Sequence, residues 1–275
     1  MAFNSAQQPR VEVFHWNPRR PLLRGRLAKR TRFGPRIDNF GDLLGPVVVD
    51  ALRARLGRTG PAVRDAQLLS VGSVLHFARD GAVVWGSGRN GKIEPERHTA
   101  TRLDVRAVRG PRTRAFLRER GIEVPEVFGD PALLLPGLFP RLREIAPRHD
   151  VLVVPNLNDL GLDAAGHPRL DPRRPLWKCL ETIAAARLVV GSSLHGVIVA
   201  EALGIPARLV LPAAESRLKY EDFYAGTGRD AFTPAQSVAE AVRMDGEPPL
   251  AWDPAPLEAA FPAELWQPAD AGAEG

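Results

Sequence analysis

Residues 188–204 read LVVGSSLHGVIVAEALG, and their order sets the fold class. An apolar run, Leu188–Val190, passes into three small residues, Gly191, Ser192 and Ser193, after which an apolar helical pattern runs from Leu194 to Leu203 and stops at Gly204. A second apolar run, Ala207–Leu211, follows at once. Strand, short loop, helix and strand in this order describe a parallel sheet covered by helices. The same alternation precedes the stretch, with a predicted strand at Val151–Val154 and a helix at Pro175–Ala186.

Upstream the pattern repeats. Val11–Trp16 reads as a first strand, and Asp38 and Asn39 precede a helix in which Leu43, Leu44, Val47, Val48, Ala51, Leu52 and Leu56 recur at three- and four-residue spacing up to Gly57. Gln67–Val71 and Ala82–Trp85 are predicted strands that run into Gly72-Ser73 and Gly86-Ser87-Gly88. Asp104–Val108 runs into Arg109-Gly110-Pro111, where the proline suits a first helical turn, and that helix continues through Phe116 and Leu117 to Gly121. Val124–Phe128 leads to Gly129-Asp130-Pro131 and the proline-bounded stretch Leu133–Pro140, after which the pattern restarts. The expected organisation is α/β: two Rossmann-like domains, residues 1–138 and 139–245, facing a cleft, and a proline- and alanine-rich tail, 246–275, with a short helix near Leu257–Leu265. In open sheets of this kind ligands bind beyond the carboxyl ends of the strands, so the cleft is the expected site.

Composition narrows the class. With 44% apolar and 25% charged residues the chain can fill a core, and no run approaches the length of a membrane span. The first ten residues lack a signal-peptide core, and Cys179 stands alone, so no internal disulfide can form. Both point to the cytoplasm. The net charge of +5 is concentrated between Arg19 and Arg36, a segment with eight cations and no carboxylate. That run is either a solvated loop or a surface for a phosphorylated substrate or an anionic membrane. Nucleic acid is not an expected partner, because no aromatic platform, zinc-finger spacing or recognition helix accompanies the charge.

Gly86-Ser-Gly88-Arg-Asn-Gly91 matches the dinucleotide fingerprint in letters only. The fingerprint needs a helix to begin there, and Lys92-Ile-Glu-Pro95 does not supply one. By contrast, Ser192, Ser193 and the first-turn N–H groups after Val190 form a candidate anion site, and His195 is placed to face the cleft, either as an acid/base or as a packed or capping side chain. Arg109 suits bidentate binding of a carboxylate or phosphate, with an ion pair to a carboxylate such as Asp130 as the structural alternative. Asn39, Asp42 and Asp130 sit at loop ends, where each is either a cap or a ligand contact. The six histidines lack a metal-binding spacing, and the glycine–x–serine–x–glycine elbow of serine hydrolases is absent.

In order, Asn39-Phe-Gly-Asp-Leu-Leu-Gly-Pro46, Val71-Gly-Ser-Val-Leu-His76, Val83-Val-Trp-Gly-Ser-Gly88, Val108-Arg-Gly-Pro-Arg-Thr113, Phe128-Gly-Asp-Pro131, Ser192-Ser-Leu-His-Gly196 and Lys219-Tyr-Glu-Asp-Phe-Tyr224 resemble the polysaccharide pyruvyl transferase family, especially its short bacterial exopolysaccharide members. The resemblance implies a fold similar to twin-Rossmann, GT-B type glycosyltransferases. It implies transfer of the pyruvyl unit of phosphoenolpyruvate onto two hydroxyls of one sugar, with a cyclic ketal formed and phosphate released. The acceptor would be a saccharide, free or lipid-linked, and no cofactor would be needed. His195 is then the acid/base, Arg109 the donor-binding arginine and His76 a further residue near the donor. Many relatives carry arginine where this chain has Ser193, so Lys219 or Arg217 is expected to supply a cation instead. A nucleotide-sugar glycosyltransferase and a non-catalytic binding protein on the same fold are the alternatives.

Overall fold

The computed structural model describes residues 8–19, 34–212 and 215–269. Four short strands, β1 (Val11–Phe14), β2 (Ala66–Leu69), β3 (Ala82–Trp85) and β4 (Leu103–Ala107), form a parallel sheet in sequence order. Three more, β5 (His149–Val153), β6 (Ala186–Gly191) and β7 (Ala207–Leu209), form a second parallel sheet. Strands buried on both faces carry near-continuous apolar residues, which is why Ala82–Trp85 and Leu188–Val190 read as runs rather than alternations. The register of β3 on β4 slips between Val84 and Trp85, and the displaced indole of Trp85 donates to the Leu257 carbonyl at 2.9 Å.

The helices are α1 (Phe40–Arg55), α2 (Pro111–Glu119), α3 (Leu135–Leu138), α4 (Leu176–Ala184), α5 (Leu194–Ala202), α6 (Leu218–Gly226), α7 (Val238–Met244) and α8 (Ala255–Ala259). The apolar spacing from Leu43 to Leu56 becomes the buried face of α1, with Leu44, Val48 and Leu52 excluded from solvent. A single cluster of buried side chains joins these to Leu133 and Leu135, and then to Leu180 and Ile198 beside the second sheet. The two sheets therefore share an apolar core. The start of α1 meets the loop before α4 where the Phe40 N–H donates to the Pro172 carbonyl at 2.9 Å.

Three helices, α3, α6 and α7, were not foreseen from apolar spacing. Helix α6 is buried on several sides, through Tyr220, Asp222, Phe223 and Tyr224, so it shows no single apolar stripe. The stretch after 246 does more than drape over the surface. Leu257, Phe261, Leu265 and Trp266 are part of the core, and Phe261 meets Trp85 edge-on at 5.0 Å. The basic segment lies mostly outside the described residues. At its ends Arg19 and Arg36 form an antiparallel bridge, and Arg36 donates to the Asn17 carbonyl at 2.8 Å. Among the described residues, no helix is long and apolar enough to cross a membrane.

Candidate active site

Strand β6 ends at Gly191, whose φ of +146° and closeness to the Val154 carbonyl exclude any side chain. The chain then turns through Ser193, which has extended backbone angles and accepts from the Gly196 N–H at 3.1 Å as the N-cap of α5. This places His195 in the first turn of α5. One side of its ring packs on Gly41 in the first turn of α1, where even a methyl group would overlap the imidazole. Its Nε2 faces Asp130 Oδ2 at 3.8 Å. Both atoms are shielded from solvent, and neither has a hydrogen-bond partner among the described residues.

Around His195 lies a cleft of about 500 Å³ between the strand ends of the two sheets. His76, Lys92 and Asp42 enter from the first-sheet side, His195, Glu215 and Lys219 from the second. Glu215 holds both lysines, Lys92 Nζ at 2.6 Å and Lys219 Nζ at 2.9 Å, and takes a third bond from Asn158 at 3.0 Å. Burial pulls the Lys219 pKa down while the Glu215 carboxylate pulls it up, and the net shift is downward. Burial alone would raise Glu215, but Lys219 and the hydrogen bonds from Lys92, Asn158 and Lys219 hold it below the usual range. Burial raises Asp42, against the opposing pull of His195, the 2.7 Å bond from Asn39, Lys219 and His15. Burial, with His98 and Arg97 nearby, pushes His76 down to about 4, so it faces the cleft as a neutral imidazole at neutral pH. The cleft thus combines the carboxylates of Asp42 and Glu215, the cations Lys92, Arg97 and Lys219, and the imidazoles of His76 and His195.

Six residues singled out from the sequence line this cleft: Asn39, Asp42, His76, Ser193, His195 and Lys219. Three do not. Ser192 is fully buried, its Oγ accepting from the Asn156 N–H at 3.0 Å and its carbonyl from the Tyr220 hydroxyl at 2.8 Å. Asp130 is also fully buried and faces His195, not the alternative partner Arg109. Arg109 lies one layer behind the cleft, 1% exposed, and donates to Ser73 Oγ at 2.7 Å and to the Arg89 carbonyl at 3.2 Å. Its carboxylate partner is Asp222, at 3.2 Å. Of the two cations expected to compensate for Ser193, Lys219 reaches the cleft, whereas Arg217 is 58% exposed and sits 3.6 Å from Glu221.

Helix α6 does three jobs within one turn and a half. Lys219 enters the cleft, Tyr220 fixes the Ser192 loop, and Asp222 accepts from the Thr113 N–H at 2.9 Å and its hydroxyl at 2.6 Å as well as pairing with Arg109. Sequence reasoning missed Lys92, Glu215 and Asp222. Lys92 stands one residue beyond the glycine-rich stretch 86–91, which shapes the cleft wall although it begins no long helix, being followed by a three-residue 3₁₀ turn at Pro95–Arg97. Among the described residues, no group of three or more histidine, cysteine or acidic side chains is placed to hold a metal ion.

The profile of the polysaccharide pyruvyl transferase family matches residues 3–212. The succinoglycan biosynthesis protein ExoV of Rhizobium meliloti (strain 1021) is 29% identical over 218 residues, which is 74% of this chain and 67% of that protein. Among solved structures, an uncharacterized protein, KP1_0663, of Klebsiella pneumoniae aligns over 79% of this chain and 87% of its own, at 11% identity and a TM-score of 0.42, too low to bear on the fold or the chemistry.

Proposed function

The chain belongs to the polysaccharide pyruvyl transferase family, and from that premise we propose that it moves the pyruvyl unit of phosphoenolpyruvate onto two hydroxyls of one sugar, in a polysaccharide or lipid-linked oligosaccharide of exopolysaccharide biosynthesis. The observation that carries this reading is the imidazole of His195 in a cleft that also holds Lys92 and Lys219. Protonation of the donor's methylene carbon gives a methyl group and develops positive charge on the adjacent carbon. A sugar hydroxyl adds there and loses its proton to the imidazole, the carbon–oxygen bond to phosphate breaks, and the neighbouring hydroxyl closes the ketal as its proton passes to the departing phosphate. An imidazole, which can both donate and accept a proton, serves these steps. The two lysines and the start of α5 complement the donor's carboxylate and phosphate.

In this reading the two sheets correspond to two Rossmann-like domains in a GT-B type arrangement, residues 1–138 chiefly on the acceptor side and 139–245 on the donor side, with Ser73 and Lys92 of the first also reaching the donor. Arg109 contributes to the donor through Ser73, whose hydroxyl it holds at the cleft wall. Asn39, Asp42, His76 and Ser193 are substrate contacts, and Trp16 and Phe77 offer the sugar apolar faces at the rim. Incubation with each candidate donor tests the proposal. Acceptor-dependent phosphate release from phosphoenolpyruvate supports it, and release of nucleoside diphosphate from a nucleotide sugar would replace it with glycosyl transfer.

Lys219→Gln is expected to raise the KM for phosphoenolpyruvate by on the order of 10–100-fold, as for loss of a charged hydrogen bond, with the acceptor KM nearly unchanged. An unchanged donor KM in the folded variant would remove the lysine pair from the donor site.

The cations between Arg19 and Arg36 extend the proposal to contact with an anionic membrane that carries the acceptor. Replacing four of these arginines with glutamine should weaken binding to anionic vesicles, by roughly 1 kcal/mol for each residue near the surface, and raise the KM for a lipid-linked acceptor. If neither changes, the segment has no part in acceptor capture.

A further inference from the structure

We propose that Asp130 is the positioning residue of His195: its carboxylate accepts a hydrogen bond from the Nε2–H of the imidazole and so leaves Nδ1 as the nitrogen that works on substrate. The inference rests on the acid/base role proposed for His195. It starts from an imbalance in the hydrogen bonding of two buried groups. Asp130 is fully buried, and its Oδ1 accepts from the Ala132 N–H at 3.0 Å, capping the turn Pro131–Leu134. Its Oδ2 has no hydrogen-bond partner among the described residues, nor has Nε2 of His195, which it faces at 3.8 Å. A buried polar atom without a partner is costly, so two facing orphans call for an explanation. The separation exceeds a hydrogen bond, and catalytic pairs often tighten only when substrate is bound.

The surroundings hold Asp130 in this orientation. Gly129, at φ +149°, lies against the Trp252 indole, whose Nε1 donates to the Phe128 carbonyl at 3.3 Å. The other carboxylate near His195, Asp42, has one oxygen engaged by Asn39 and lines the cleft, so it is open to substrate rather than committed to the ring. With Nε2–H directed to Asp130, Nδ1 beside Gly41 accepts the sugar hydroxyl proton, and the imidazolium so formed faces the Asp130 carboxyl group. The same Nδ1–H protonates the methylene carbon in the first step, so the ring ends the cycle as it began.

Nitrogen-15 spectra of the histidines in the wild-type protein test the geometry without reference to activity. The neutral His195 ring should carry its proton on Nε2, and a proton on Nδ1 with Nε2 bare overturns the proposal. Asp130→Asn keeps an acceptor for the Ala132 N–H but supplies no charge. It should abolish the Nε2–H preference and lower kcat for phosphate release at least 10-fold, with the KM for phosphoenolpyruvate changed less than about threefold. A merely structural aspartate would instead lower stability and leave the His195 resonances and kcat as in the wild type. If phosphoenolpyruvate is not the donor, the kinetic arm is silent for the wild type as well, while the spectra still decide how Asp130 orients the ring.

Discussion

Asp222→Ala is expected to destabilise the protein by about 3–5 kcal/mol, the largest stability loss foreseen for any single polar substitution here. Asp222 and Arg109 are 0% and 1% exposed and 3.2 Å apart. Removing the carboxylate leaves a guanidinium that cannot lose its proton enclosed in the interior, together with the orphaned Thr113 N–H and hydroxyl. The pair ties the turn after β4 to α6, so the damage extends to the wall that carries Ser73 and to the helix that carries Lys219. Asp222→Asn preserves size and some hydrogen bonding and should fall between wild type and alanine. Urea unfolding measures the difference, and a loss below about 0.5 kcal/mol for the alanine variant would mean that Arg109 finds another partner or water.

His195→Asn should leave the fold close to wild type and lower kcat by ~10²–10⁴-fold, or roughly 3–5 kcal/mol of transition-state stabilisation. Asparagine has similar size and can still bond to neighbouring groups, but it cannot exchange a proton near neutrality. The effect should fall on kcat far more than on donor KM, because the lysines that hold the donor anion are untouched. A histidine whose job is only to pack on Gly41 would show the reverse, a lower melting temperature with kcat nearly preserved. Activity within about tenfold of wild type would take His195 out of the chemistry.

Much of the fold was legible because it rests on local rules. The apolar run of β6, the small residues at its end and Gly204 after α5 each report a backbone event within a few residues. The predicted helix Leu194–Leu203 agrees with α5 to within one residue. Gly57 and Gly121, which were read as helix stops, have φ of +65° and +75° beyond α1 and α2. Helix α6 was illegible for the opposite reason: buried on several sides, it carries tyrosine, phenylalanine and aspartate with no single stripe. In the site, residues at strand ends were found and their long-range partners were not. Arg109 was visible at the end of β4, but Asp222 lies over a hundred residues on, and nothing local distinguishes it from the neighbouring Glu221, which sits near exposed arginines. Lys92 was passed over because the glycine-rich stretch before it was weighed only as a nucleotide fingerprint. That stretch shapes a cleft wall, a role decided by how it packs: a side chain on Gly91 would overlap Ser216.

Carbon-13 tracing of the donor tests the central claim most directly. The protein would be incubated with phosphoenolpyruvate labelled at the central carbon and with a saccharide acceptor, and the saccharide then examined by NMR. The label should appear in the saccharide as a quaternary ketal carbon bearing a methyl group, with one phosphate released per ketal formed, and a folded His195→Asn protein should form it at least 10²-fold more slowly. Label that stays in phosphoenolpyruvate or free pyruvate across the acceptors tried, while a nucleotide sugar glycosylates one of them, would contradict the account.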